Sequence, residues 1–123
     1  MTYQSAIEKH GKKLRATVQG ENSYENISRF LQELLEKCEE EQTSHLLIVD
    51  RMSGLQSSTV DVYELVSEYS AKGFYKLEKV AYCDLAGDPE NDIGWFAETV
   101  ALNQGVNIKL FRNLEKAEEW LDG

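Results

Sequence analysis

Two aspartates stand where an α/β protein puts its chemistry. Asp50 closes the apolar run Leu46-Leu47-Ile48-Val49, and Asp84 follows Val80-Ala81-Tyr82-Cys83. Open α/β sheets present ligands at the carboxyl ends of their strands, so acids on two neighbouring strand ends have the donor chemistry to hold Mg²⁺ or to accept a phosphoryl group. The rest of a phosphoacceptor pattern is missing. The first strand ends without an acidic pair, and the strand around Lys109 lacks a lysine-proline step at its end. No metal site and no phosphoaspartate is expected, and hydrogen bonding within the loops is the role left to both acids.

The other reactive side chains are isolated in the same way. His10 sits in a turn and His45 at a strand entrance, with no nucleophile or carboxylate at motif spacing. Cys38 and His45 lie seven apart, but no CxxC or HxxxH accompanies them, which argues against zinc. Cys38 falls on a helical apolar stripe and Cys83 ends a strand run, so both read as small buried hydrophobes rather than a disulfide. No GxGxxG or GxxxxGK[ST] is present. Gly87 has amides to offer an anion, yet Asp88 beside it already serves as a helix cap. These spacings predict neither catalysis nor a cofactor.

The elements that would position these residues follow from hydrophobic period. Tyr3 to Lys9 and Lys13 to Gln19 flank His10-Gly11-Lys12, and Leu14, Ala16 and Val18 alternate with polar residues, which predicts an opening β-hairpin. Asn22 with Glu25 reads as a capping pair. Ile27, Phe30, Leu31, Leu34, Leu35 and Cys38 then recur at helical spacing. Leu46 to Val49, without alternation, predicts a central strand covered on both faces and ending at Asp50. Ser58, with Asp61 three positions on, predicts the N-cap of a second helix carrying Val62, Leu65, Val66 and Tyr69 to about Gly73. Val80 to Cys83 is the next strand. Asp88-Pro89-Glu90 opens a third helix with the inner stripe Ile93, Phe96, Ala97 and Val100. Val106, Ile108 and Leu110 alternate as a last strand, and a final helix carries Leu114, Ala117 and Leu121. The order ββαβαβαβα implies an α/β fold: a mixed sheet with an antiparallel hairpin followed by parallel strands, plus four helices, in one domain over 1–123.

Composition narrows the partners. The chain has 123 residues with 13 Lys+Arg against 22 Asp+Glu, a net charge of −9. That balance repels phosphate backbones and anionic lipid headgroups, so no nucleic acid partner is expected. The acidic run Glu36, Glu39, Glu40 and Glu41 reads as a solvated face, or as a docking patch for a basic partner. No run approaches the length of a membrane span and no secretory signal pattern opens the chain, which predicts a cytoplasmic protein without an integral membrane segment.

With that element order, three stretches carry a family resemblance: Leu46-Leu47-Ile48-Val49-Asp50 leading through a loop to the second helix, Lys79 to Asp84 with Gly87-Asp88-Pro89-Glu90, and the ending Lys109-Leu110-Phe111 followed by a helix with Ala117, Trp120 and Leu121. Over nearly its whole length the chain resembles the STAS domain of bacterial anti-sigma-factor antagonists, in the divergent SpoIIAA-like branch also described as CRAL-TRIO-like. The resemblance implies a non-catalytic regulatory module whose partner is another regulatory protein such as an anti-sigma factor, docked near the loop before the second helix. STAS domains of the sporulation type are phosphorylated on a serine at the start of that helix, within Asp-Ser-[Ser/Thr]-Gly. The matching place here reads Gln56-Ser57-Ser58-Thr59, with hydroxyls at Ser57, Ser58 and Thr59 but without the flanking Asp and Gly.

The CRAL-TRIO-like branch implies an alternative, a carrier of a small apolar ligand or lipid. The aromatic bulk of Phe74, Tyr75, Trp95 and Phe96 would line its groove beside the second or third helix. A lipid tail needs a pocket of about 300 Å³ or more, which a core of this size does not hold at normal packing. A surface groove, not a large enclosed cavity, is expected.

Overall fold

The computed structural model describes residues 2–53, 58–85 and 93–123. Its elements are β1 (Tyr3–His10), β2 (Lys13–Glu21), α1 (Tyr24–Glu41), β3 (His45–Ser53), α2 (Thr59–Lys72), β4 (Lys79–Asp84), α3 (Ile93–Asn103), β5 (Ile108–Phe111) and α4 (Leu114–Asp122). A short 3₁₀ turn, Phe74–Lys76, joins α2 to β4. The five strands form one sheet in the order β1-β2-β3-β4-β5, with β1 antiparallel to β2 and every later pair parallel. The hairpin closes on Gly11, whose φ of 65° suits glycine in a two-residue turn.

Sequential parallel strands joined by right-handed crossovers send all their helices to one side. The side chains agree. Phe30, Leu34 and Cys38 from α1, Leu65 and Tyr69 from α2, and Ala101 from α3 pack on Leu14, Ala16, Val18, Leu46 and Val80. The opposite face carries Leu47, Val49, Ala81 and Cys83, which are covered by Ala117 and Leu121 of α4. Strand β3 is therefore buried on both faces, which is what its unbroken apolar run demands. Arg15 to Glu118 at 3.3 Å and Lys13 to Asp122 at 3.2 Å tie α4 across to β2. Both cysteines are buried free thiols, as their sequence positions predict, and burial pushes Cys38 up to about 11.

Three details differ from the sequence reading. The cap of α1 is Ser23, whose Oγ accepts from the Asn26 N–H at 3.2 Å, rather than Asn22. The Asn22 N–H is already engaged with the Ser53 carbonyl at 2.8 Å, so the chain stays extended one residue longer. For the same reason β3 runs past Asp50 to Ser53, because the long β2 offers backbone partners to the end. The inner face of α3 is also rotated. Gly94, Val100 and Ala101 are buried while Phe96 is only half-buried. Small residues let the helix backbone approach the sheet, which a reading based on apolar bulk overlooks. The cap proposed at Asp88-Pro89-Glu90 lies outside the described residues.

Candidate functional site

The β3–β4 register delivers two carboxylates side by side, Asp84 at the end of β4 and Asp50 three residues before the end of β3. Asp50 and Asp84 are register partners on β3 and β4. Alternation places Tyr82 on the same face as both acids, and its hydroxyl donates to Asp50 Oδ2 at 2.8 Å, while the Met52 N–H donates to Oδ1 at 2.9 Å. Asp84 is buried and receives Arg112 Nη1 at 3.2 Å. Burial pushes the Asp50 carboxyl above the usual carboxylate range, and the charge of Asp84 adds to this. The donors Met52 and Tyr82 pull the other way and lose. Burial, then the charges of Asp50 and Asp84, hold the Tyr82 phenol well above its ordinary value. Both acids thus take hydrogen bonds from this chain's own donors, and among the described residues no group of three or more His, Cys, Asp and Glu gathers.

This raised carboxyl has a pH signature. A carboxyl whose folded pKa exceeds its unfolded value near 3.8 contributes stability that is complete below that value and is lost as pH rises through the folded one. In Asp50→Asn that component is gone. The advantage of the parent over the variant should therefore be greatest at about pH 3 and shrink towards neutrality, in urea titrations across that interval. An advantage that grows with pH would show the carboxyl to be stabilised in its charged form instead.

The hydroxyls before the second helix divide. Ser57 lies outside the described residues. Ser58 is exposed and caps α2, its Oγ accepting from the Asp61 N–H at 3.1 Å, with Thr59 exposed next to it. On the first turn that follows, Val60 is 63% and Tyr63 is 52% exposed, spaced one turn apart. Sequence reasoning passed over this pair because neither residue belongs to the inner stripe. Their signal was being apolar outside the helical period.

The four aromatics proposed for a ligand groove do not share one lining. Phe74 is buried and faces a partly open apolar cavity, whereas Tyr75 and Trp95 are 50% and 57% exposed and Phe96 is half-buried. The cavity lies between the sheet and the helices α1 to α3 and measures about 160 Å³, below the lipid-sized volume considered above. Ile48, Leu65, Val80 and Ile108 line it, together with the polar residues Asn22, Asp50 and Tyr82. Tyr82 went unnoticed in the sequence because a tyrosine inside an apolar strand run reads as core.

No family model and no curated protein matches the sequence. Solved structures do match. An anti-sigma factor antagonist from Mycobacterium paratuberculosis aligns with a TM-score of 0.59 at 14% identity, over 99% of this chain and 96% of that one. An uncharacterized protein of the DUF3478 family with a SpoIIAA-like fold, from Shewanella loihica PV-4, aligns with a TM-score of 0.57 at 20% identity, over 97% of this chain and 93% of that one. The chain has the SpoIIAA-like fold. Within that fold Asp50, Asp84 and the α2 cap lie towards the carboxyl edge of the sheet, the edge at which open α/β sheets meet their ligands. No helix among the described residues is long and apolar enough to cross a membrane.

Proposed function

We propose that this chain is a non-catalytic regulatory module of the cytoplasm that works by docking another protein on the first turn of α2. The observation that carries the reading is the exposed triplet Ser58, Val60 and Tyr63: a modifiable hydroxyl at a helix N-terminus beside two apolar side chains that the core does not use. Asp61, Glu64 and Glu68 follow on the same helix, so the surface suits a partner with an apolar centre and a basic rim. The fold it shares with an anti-sigma factor antagonist supports a regulatory partner of the anti-sigma-factor kind.

Phosphorylation of Ser57 or Ser58 would regulate the contact. A phosphate adds about 1.5 to 2 negative charges at neutral pH, and the helix N-terminus accommodates it. The test uses a photo-crosslinking residue in place of Tyr63 to capture the partner from native cytosol, followed by affinity measurement with the purified pair. Val60→Glu and Tyr63→Glu should each weaken binding about tenfold or more, the usual loss at an interface anchor, and Ser58→Asp should shift affinity in either direction. Unchanged affinity in all three variants refutes docking at this turn.

A further inference from the structure

The partly open cavity between the sheet and α1 to α3 is a second candidate site, independent of the docking surface. We propose that it takes a compact, largely apolar molecule of about benzene size bearing one hydroxyl donor, and that this donor bonds Asn22 Oδ1. Three observations converge on that chemistry.

The first is size. At about 160 Å³ the space matches the ~150 Å³ apolar cavities that admit benzene, and it is too small for an acyl chain. The second is polarity. Phe30, Ile48, Leu65, Val80, Val106 and Ile108 present hydrocarbon from the sheet and the helices, and among the described residues no lysine, arginine or histidine joins the lining. An anion would find no counter-charge there and would face Asp50.

The third is an unmet acceptor. Among the described residues three buried side-chain oxygens lack a hydrogen-bond partner, Asn22 Oδ1, Thr43 Oγ1 and Ser67 Oγ, and of these residues only Asn22 lines the cavity. Two neighbouring hydroxyls there are engaged: Tyr82 donates to Asp50, and the Tyr69 hydroxyl pairs with Ser28 Oγ at 2.9 Å. A buried acceptor without a donor is costly, so a ligand that supplies one gains more than its apolar surface alone would give. A single water could satisfy Asn22 but would leave the hydrocarbon-lined remainder unfilled.

The probe pair is p-cresol and p-xylene, which match in non-hydrogen atoms and shape and differ by a hydroxyl in place of a methyl. Methyl NMR titration of the full chain should show saturable shifts at Ile48, Leu65, Val80 and Ile108 with p-cresol, and a Kd for p-xylene about tenfold or more higher. In Asn22→Leu the two Kd values should converge. In Ala97→Leu, which fills the space from α3, the shifts should vanish for both probes. The proposal is overturned by shifts confined to surface methyls, by a wild-type ratio below tenfold, or by a folded Asn22→Leu protein that keeps the preference. The probe ratio in the unmodified chain decides the matter alone if that variant does not fold.

Discussion

Replacing Leu46 by alanine should destabilise the chain by about 2 to 5 kcal/mol, the range for a buried leucine whose surroundings relax only in part. Leu46 has no exposed surface and lies on β3, the middle strand, with Leu14 of β2 and Val80 of β4 as its register neighbours. Strands on both sides and helices above leave no direction from which the structure can collapse into the void. A domain of this size holds on the order of 5 to 15 kcal/mol in total, so a large share of the stability disappears. Urea unfolding should show a lower midpoint at unchanged slope. Leu102→Ala supplies the control. That leucine is half exposed on α3, and its truncation should stay within about 0.5 kcal/mol. Equal losses at the two positions would contradict the placement of β3 between two layers.

The second large effect sets local propensity against packing. Gly94 is the second residue of α3, where alanine would gain up to ~1 kcal/mol in helix propensity. A Cβ there would stand 2.8 Å from Asp84 Oδ2 and 3.4 Å from Leu110 Cδ1. The aspartate side chain is short and buried, so it can yield only by moving off Arg112, its partner at 3.2 Å. Overpacking of this kind costs roughly 1 to 3 kcal/mol before any loss from the disturbed ion pair. Packing outweighs propensity, and Gly94→Ala should be less stable than the parent by about 2 kcal/mol. A double-mutant cycle with Asp84→Ala isolates the cause, because without the carboxylate the same glycine substitution should be close to neutral. A Gly94→Ala protein at least as stable as the parent would mean that α3 does not ride so low on the sheet.

Periodicity alone supplies nearly all the architecture. The Ile27-to-Cys38 stripe can satisfy its apolar residues only as a helix lying on a sheet, and the unbroken run Leu46 to Val49 only as a strand covered twice. The parallel order then follows from alternating strands and helices, since short right-handed connections leave few other topologies. Ser58 as a helix cap was legible for an equally local reason: a hydroxyl three residues before an amide it can accept from. The sequence also carried the bland reading of the two cysteines, since each sits at a position its element turns inward.

Relations between elements were not written in any local pattern. Nothing within the run Val80 to Asp84 says that Tyr82 will reach Asp50 across a strand, because that pairing depends on the β3–β4 register. The burial that raises the Asp50 carboxyl depends on the same neighbours. The low seat of α3 follows from a glycine meeting an aspartate and a leucine on two other elements, so a stripe counted by bulk alone names Phe96 where the helix buries Gly94 and Ala101. The cavity is the furthest from the sequence of all. It is a remainder, the volume left where three helices and a twisted sheet fail to interdigitate, and its lining comes from β2 to β5 and α1 to α3 together. Local residue types set which elements form because backbone and burial preferences act over a few residues. Which side chains meet, and where space is left between them, depends on distances that exist only after those elements have packed.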